Sequence, residues 1–216
     1  MPTYKEQKPD LSRPAKRFFH IHIPRTAGRY LDWNFMLNGF QMENNTTPNI
    51  EGVEVQHLHR DLYEQYLDVA GIPHISVVRN PIDRFISCSI FLKRMYGDDI
   101  QDAMEDENLF YSMLENFPFQ DAGRNWFRPQ IDFITSDTHL WKFEDGFGDD
   151  FCEWVGDILG VEGFHTKSDV PYPRLTTDET KKLKKSAKLV NNIKSLYRQD
   201  IEHLYPELAT PFEEGT

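Results

Sequence analysis

An apolar run that ends abruptly in a polar loop constrains this 216-residue chain more than any other feature. Residues 18–23 have the composition of a buried strand, and residues 24–30 follow with a proline, a glycine, a hydroxyl and two arginines. If a helix begins near Tyr30, its free backbone N–H groups and the guanidinium of Arg25 converge on one anion. The pattern therefore predicts a strand, an anion-binding loop and a helix in succession.

The loop is too short for the Gly-x-x-x-x-Gly-Lys-Ser/Thr motif of nucleoside triphosphatases, and no lysine ends it. A second apolar run, residues 74–78, ends in the same way at Arg79, and Pro81 suits the first turn of a helix. On that helix Ser87 lies about two turns in. We therefore expect a second basic residue at the end of a strand.

Together the two segments resemble the 3′-phosphoadenosine 5′-phosphosulfate (PAPS)-dependent sulfotransferases. Pro-Arg-Thr-Ala-Gly at 24–28 is similar to the family's 5′-phosphosulfate loop, and Arg-Asn-Pro-x-x-Arg-x-x-Ser at 79–87 is similar to its 3′-phosphate motif. Gln-His-Leu-His at 56–59 and the segment 91–99 are similar to parts of the carbohydrate 2-O-sulfotransferases that act on heparan and related uronic-acid polymers. The resemblance covers about residues 17 to 205.

This resemblance implies sulfuryl transfer from PAPS to an acceptor hydroxyl, with adenosine 3′,5′-bisphosphate (PAP) as the product and a sugar as the expected acceptor. It makes His59 the general base and His57 an assisting residue. Arg25 takes the position of a family lysine, where it can act as an electrostatic clamp but cannot readily donate a proton. No metal is expected, because fixed cations and backbone N–H groups can stabilise the charge that develops.

The resemblance also assigns the residues that bind the donor. The family commonly has a hydroxyl after the loop glycine, whereas this chain has Arg29 and Tyr30. Arg79 and Ser87 match the contacts to the 3′-phosphate, and Lys167 is our candidate for a late basic loop over the nucleotide. The expected donor-binding residues are Pro24, Arg25, Thr26, Ala27, Gly28, Arg29, Tyr30, Arg79, Ser87 and Lys167.

Three other interpretations of these motifs stay open. The His-x-His pair is also a possible zinc site, although no third ligand of suitable spacing accompanies it. An atypical P-loop phosphotransferase would need a magnesium-binding Ser or Thr directly after a lysine and an acidic residue at the end of a strand, and neither feature is evident. The altered loop is also compatible with a non-catalytic module of the same fold that binds a nucleotide or another ligand.

Alternating strand-like and helical segments predict an α/β fold with a mostly parallel sheet that is covered by helices. The expected architecture is a P-loop-like, three-layer α/β/α domain. The predicted strands are 17–23, 53–58, 74–78 and 138–143, and a long helix follows a capping box formed by Thr176 and Glu179. We expect a polar N-terminal segment at 1–16 and one domain at 17–210.

Composition narrows the classes of partner. The net charge of −11 argues against a general nucleic-acid-binding protein, which is normally basic. The sequence has no 18-residue apolar stretch and no signal-peptide pattern, so we expect a cytoplasmic protein without a membrane span. The two cysteines, Cys88 and Cys152, have no metal-site spacing and are expected to be free thiols.

Overall fold

A computed structural model describes residues 2–9, 12–43, 49–96, 125–167 and 178–210. Within it the chain forms two compact units. The first unit comprises Met1–Val78 and Asp132–Pro173, and the second comprises Arg79–Ile131 and Arg174–Thr216. The predicted capping box at Thr176 and the end of the 91–99 segment lie outside the described residues.

The strands of the first unit are β1 (Thr3–Glu6), β2 (Arg17–Ile21), β3 (Phe40–Met42), β4 (Asn49–Ile50), β5 (Val53–Glu54), β6 (His74–Val78) and β7 (His139–Lys142), and its helices are α1 (Gly28–Leu37), α2 (Arg60–Tyr66) and α4 (Asp149–Leu159). A mixed five-stranded sheet forms the centre of this unit, in the order β3-β1-β2-β6-β7. The helices α1 and α4 follow β2 and β7 along the chain, and the short helix α2 precedes β6.

The α/β class is as expected, but only two of the four strand pairings described in this sheet are parallel. β2 pairs with β6 and β6 with β7 in parallel, whereas β1 pairs antiparallel with both β2 and β3. Sequence analysis did not predict β1 because its four residues, Thr-Tyr-Lys-Glu, are mostly polar. Tyr4 nevertheless packs its ring on Phe18 at 5.1 Å, and both side chains are fully buried.

The core of the first unit is rich in aromatic side chains. Phe18 on β2 meets Phe35 of α1 edge to face at 4.9 Å, and Phe151 and Val155 of α4 belong to the same cluster. Phe151, Val155 and Leu159 recur at a spacing of four residues, so one face of α4 is buried. This packing places the start of α1 at the end of β2.

The predicted strand 53–58 is wrong after its second residue. β5 ends at Glu54, and Val55–His57 form a single 3₁₀ turn. β5 pairs only with β4, and the connecting residues Glu51 and Gly52 both have positive φ, 49° and 80°. Two consecutive positive φ angles are typical of a type I′ hairpin turn, which makes this pair a separate hairpin rather than part of the main sheet.

The second unit is helical. Its helices are α3 (Pro81–Tyr96), α5 (Asp178–Leu183), α6 (Ala187–Leu196) and α7 (Arg198–Leu204). A short 3₁₀ turn occurs in this unit at Pro206–Leu208, another, Gln130–Asp132, lies at the boundary between the units along the chain, and Phe143–Asp145 belongs to the first unit. The predicted strand-to-helix change at Pro81 is confirmed, because β6 ends at Val78 and α3 begins at Pro81.

The predicted long C-terminal helix is three helices. Ser186 interrupts it, because its side chain accepts a hydrogen bond from the backbone N–H of Leu189 and so caps a new helix. The apolar stripe is nevertheless core, as predicted: Leu183, Val190, Ile193 and Tyr197 are buried against α3 residues such as Phe85. No helix in the described part of the chain is long and apolar enough to cross a membrane.

Candidate functional site

The loop of residues 24–30 joins β2 to α1 with an unusual backbone. Arg25 and Ala27 have positive φ, 66° and 74°, although neither is glycine. Ala27 is the N-cap of α1, where its side chain makes no capping hydrogen bond, and the first turn of α1 contains no acidic residue. The backbone N–H groups at this helix start therefore have no side-chain anion of α1 to satisfy them, which is the arrangement that suits an external anion.

The side chains of the loop differ in their surroundings. The hydroxyl of Thr26, which is buried, donates to the carbonyl of Ile23 at 2.8 Å. Because a hydroxyl has one hydrogen, Thr26 would approach a phosphate through its backbone N–H instead. Pro24 is buried, Arg25 is partly exposed and Arg29 is exposed. Tyr30 packs its ring on Phe147 at 5.2 Å, so it belongs in part to the core.

His22 lies directly beneath the loop. A Cβ atom at Gly28 would lie only 1.8 Å from Nε2 of His22, so the imidazole occupies the space that any other residue would need. His22 is almost fully buried, and this burial holds its pKa well below the ordinary value. The glycine of the motif is thus required locally by a ring of the protein itself.

Asp32 of α1 organises the buried polar groups below His22. Its Oδ1 accepts hydrogen bonds from the hydroxyl of Tyr4 at 2.8 Å and from Nδ1 of His20 at 3.0 Å. Nδ1 of His22 lies 3.8 Å from Oδ2 of Asp32, and the His20 and His22 rings stack at 5.6 Å. Burial raises the pKa of Asp32, but the hydrogen bonds from His20 and Tyr4 and the charges of His20 and His22 together lower it to about 2.

His57 lies beside His22 and pairs with a carboxylate. Its Nδ1 lies 2.8 Å from Oε2 of Glu54, and its ring contacts that of His22 with centroids 4.8 Å apart. Burial lowers the pKa of His57, while the hydrogen bond and charge of Glu54 act in the opposite direction. The hydrogen bond from His57 lowers the pKa of Glu54, and the positive charge of Arg29 acts in the same direction.

His59 has a different environment from His57. His57 ends a 3₁₀ turn and His59 is the N-cap residue of α2, so the two rings do not project from one strand. His59 is still buried, with 9% of its surface exposed. Its Nδ1 lies 3.8 Å from Oδ2 of Asp61, whose side chain is largely exposed. The two histidines therefore differ in how firmly a carboxylate holds them.

Arg79 and Ser87 lie in the second unit. The backbone of Arg79 is held by Gln130, whose side-chain amide accepts from its N–H and donates to its carbonyl, both at 2.8 Å. Gln130 is fully buried, and its own backbone N–H donates to Asp200 at 2.9 Å. Ser87 lies on α3 and is 8% exposed. Gln130 thus supports the backbone of Arg79.

The second arginine of the 79–87 motif, Arg84, serves the fold. Arg84 is fully buried, and its guanidinium donates to the carbonyls of Trp126 and Arg128. Its guanidinium also lies 5.5 Å from the ring centroid of Tyr197, within the range of a cation–π contact.

Lys167 lies in the first unit, beside α1. Its backbone N–H donates to Oδ1 of Asn34 at 2.8 Å, and the amide of Asn38 forms hydrogen bonds to the backbone of His165. These contacts tie the segment to the helix that begins at the 24–30 loop. The side chain of Lys167 is exposed.

Two further features concern the surroundings of the site. Within the described ranges, no group of three His, Cys, Asp or Glu side chains is arranged to hold a metal ion, and Cys88 and Cys152 are free thiols. An open cavity of about 790 Å³ lies along α4, lined by acidic residues such as Asp149, Glu153 and Asp157. Its negative charge disfavours an anionic donor, and none of the predicted donor-binding residues lines it.

Sequence analysis missed Glu54, Asp32 and Tyr4. Glu54 precedes His57 by three residues, and this spacing brings two side chains together on a helical turn, but the segment was predicted as a strand. Asp32 and Tyr4 meet only through the fold, since 28 residues separate them. Comparison of the chain with family models, with curated proteins and with solved structures finds no match.

Proposed function

We propose that the protein is a sulfotransferase that moves a sulfuryl group from PAPS to an acceptor hydroxyl, with a sugar as the acceptor. The observation that carries this proposal is the junction of β2 and α1. There the start of α1 has no acidic residue in its first turn and no side-chain cap, which suits an anion. His22 lies beneath Gly28, and its ring contacts the ring of His57. An anion site beside an imidazole and carboxylate pair is what transfer of an anionic group to a hydroxyl requires.

The proposal assigns the 5′-phosphosulfate to the 24–30 loop and the 3′-phosphate to Arg79 and Ser87. The backbone N–H groups at the start of α1 and the guanidinium of Arg25 stabilise the negative charge on the donor. Lys167 adds a cation near α1. The proposal also includes the P-loop-like, three-layer α/β/α arrangement that the sequence predicts.

The transfer step balances without a metal. The acceptor oxygen attacks sulfur and forms a new O–S bond, while the bond from sulfur to the bridging oxygen of the 5′-phosphate breaks. The electron pair of that bond stays on the phosphate oxygen of PAP, where Arg25 and the N–H groups stabilise it. The hydroxyl proton passes to an imidazole, either His59, as the resemblance implies, or His57, whose contacts with Glu54 and His22 favour it.

Binding of PAP tests the donor assignment. At about a hundred times its dissociation constant PAP should stabilise the fold by roughly 2.7 kcal/mol, or about 5–10 °C in melting temperature. ATP, which lacks the 3′-phosphate, should produce a much smaller shift. Equal shifts with ATP, or no shift with PAP, would refute the sulfotransferase proposal.

A matched pair of arginine variants makes the binding test specific. Arg79→Ala removes a charge-assisted contact and should raise the dissociation constant of PAP about ten-fold or more in isothermal titration. Arg198→Ala, which removes an exposed arginine on α7, should leave it unchanged. PAP binding without turnover of PAPS against any hydroxyl acceptor would identify the alternative, a non-catalytic binding module.

A further inference from the structure

We propose that Glu54 is a positioning residue that orients His57 for proton transfer through Nε2. This inference rests on the proposed sulfuryl transfer, since it names the group that prepares the base of that reaction. Neither the loop motifs nor the His-x-His motif includes Glu54. Three observations support it: the contact between Glu54 and His57, the packing of the short turn that carries His57, and the charge of Arg29.

The contact determines which nitrogen can act as the base. Nδ1 of His57 lies 2.8 Å from Oε2 of Glu54. An ionised carboxylate only accepts hydrogen bonds, so Nδ1 carries the hydrogen and Nε2 of the neutral ring keeps the lone pair. Proton transfer from an acceptor hydroxyl therefore uses Nε2. When the ring becomes an imidazolium, the carboxylate stabilises its charge, as in other carboxylate and histidine pairs.

The local fold holds the pair in place. Glu54 is the last residue of β5 and His57 the last residue of the 3₁₀ turn that follows, so only two residues separate them. The hairpin turn at Glu51 and Gly52 sets the register of β5. The side chain of His57 is 8% exposed and its ring packs on His22. Few rotamers are therefore open to the ring, which reduces the entropy lost when it meets a substrate.

Arg29, a residue of the 24–30 loop, acts on this pair through its charge. It stands where the sulfotransferases commonly have a hydroxyl residue, and its positive charge favours the ionised form of Glu54. We infer that this substitution adds a charge that keeps the carboxylate ready to accept from Nδ1. The corresponding carboxylate beside His59 is Asp61, which lies 3.8 Å away with 79% of its side chain exposed. The carboxylate beside His59 is therefore farther from its ring nitrogen than the carboxylate beside His57.

Titratable groups from three elements lie close enough to act on His57. They are Glu54 on β5, His22 after β2, and Asp32 on α1. Glu54 and Asp32 favour the protonated ring, and burial opposes it. Neutralising Glu54 removes the larger of the two favourable charges, so the pKa of His57 should fall.

The test combines histidine NMR with kinetics on the full chain. In ¹⁵N-histidine-labelled protein, with His57→Ala used for assignment, neutral His57 should be protonated at Nδ1. Glu54→Gln keeps a hydrogen-bond acceptor but removes the charge, so the Nδ1–H tautomer should persist while the pKa of His57 falls. Glu51→Gln, which removes an exposed carboxylate paired with Tyr66 on the same hairpin, should leave both unchanged.

Kinetics then test whether positioning matters for turnover. With PAPS as the donor and desulfated heparin as the hydroxyl probe, Glu54→Gln should lower kcat at least about ten-fold with little change in the donor KM. Because the base must be neutral, activity rises with pH through the pKa of His57, and the acid limb should move to lower pH in Glu54→Gln. A variant that only loses structure would lose activity without moving this limb.

The possible results separate the two proposals. Protonation of neutral His57 at Nε2, or an unchanged pKa of His57 in Glu54→Gln, would overturn the positioning role. An unchanged kcat in Glu54→Gln, with wild-type turnover present, would overturn it as well. Absence of PAP binding or of wild-type turnover would count against the sulfotransferase proposal, and the NMR result would then decide the orientation of His57 by itself.

Discussion

Substitution of Gly28 by alanine should destabilise the protein because of one neighbouring ring. Alanine is normally preferred to glycine in a helix by roughly 0.5–1 kcal/mol, and the φ of Gly28 is not among the positive values of the chain. In this structure, however, the added Cβ would lie 1.8 Å from Nε2 and 1.9 Å from Cδ2 of His22. These separations are less than half of an ordinary van der Waals contact of about 4 Å.

The magnitude follows from how little the two partners can move. The ring of His22 lies between His20 and His57, with centroid distances of 5.6 Å and 4.8 Å. Gly28 is the first residue of α1, which is anchored by the buried side chains of Leu31 and Phe35. Overpacking of a rigid core costs about 1–3 kcal/mol, so we expect Gly28→Ala to lower the free energy of unfolding by about 3 kcal/mol.

A double-mutant cycle separates this clash from other causes. In a His22→Ala background the space beside Gly28 is open, so Gly28→Ala should be neutral or slightly stabilising. The coupling free energy, measured by urea unfolding of the four proteins, should therefore be about 3 kcal/mol in favour of the double variant. A coupling below about 0.5 kcal/mol would refute the reasoning, because Gly28→Ala would then cost stability for a reason unrelated to His22.

Three further predictions concern other residues of the two units. Asp32 has a pKa of about 2 instead of the ordinary 3.8, so its ionised form adds about 2 kcal/mol to the free energy of unfolding above pH 4, and this contribution is lost as the pH falls toward 2. Asp32→Asn should abolish this acid-dependent loss, measured by urea unfolding from pH 6 to pH 2. If His59 is the base, His59→Ala should lower the rate of sulfuryl transfer about 10²–10⁴-fold and His57→Ala less, whereas the reverse order would assign the base to His57. His74→Ala is the control, because His74 has no assigned role and its contacts, with the Val69 carbonyl and the rings of Phe19 and Tyr63, lie outside the site. Arg84→Met should lower the free energy of unfolding by about 3 kcal/mol, measured in urea, because it leaves the carbonyls of Trp126 and Arg128 without their buried donor. A decrease of less than about 0.5 kcal/mol would contradict a structural role for Arg84.

The sequence alone determined the elements that depend on local pattern. The apolar runs at β2, β6 and β7 are strands, and the breaks after β2 and β6 lead into helices as predicted. The apolar stripe from Leu183 to Tyr197 is buried. These predictions succeed because periodicity and proline or glycine placement act over a few residues, where the sequence itself carries the information.

Other features depended on contacts between distant residues. The strand Thr3–Glu6 exists because Tyr4 packs on Phe18 and bonds to Asp32, and its own polar sequence does not indicate burial. The pattern at 53–58 favoured a strand. In the structure, the positive φ angles of Glu51 and Gly52 connect β4 and β5 as a hairpin, and His57 lies on a 3₁₀ turn after β5.

Packing also decided the arrangement of the candidate site. The sequence indicated His57, His59 and a loop glycine, but not that His22 fills the space at Gly28 or that Glu54 holds Nδ1 of His57. Such pairings depend on where strands and turns pack, and a single sequence records residue types without their distances. Local pattern therefore determined which residue types are present at the site, and tertiary packing decided which of them touch.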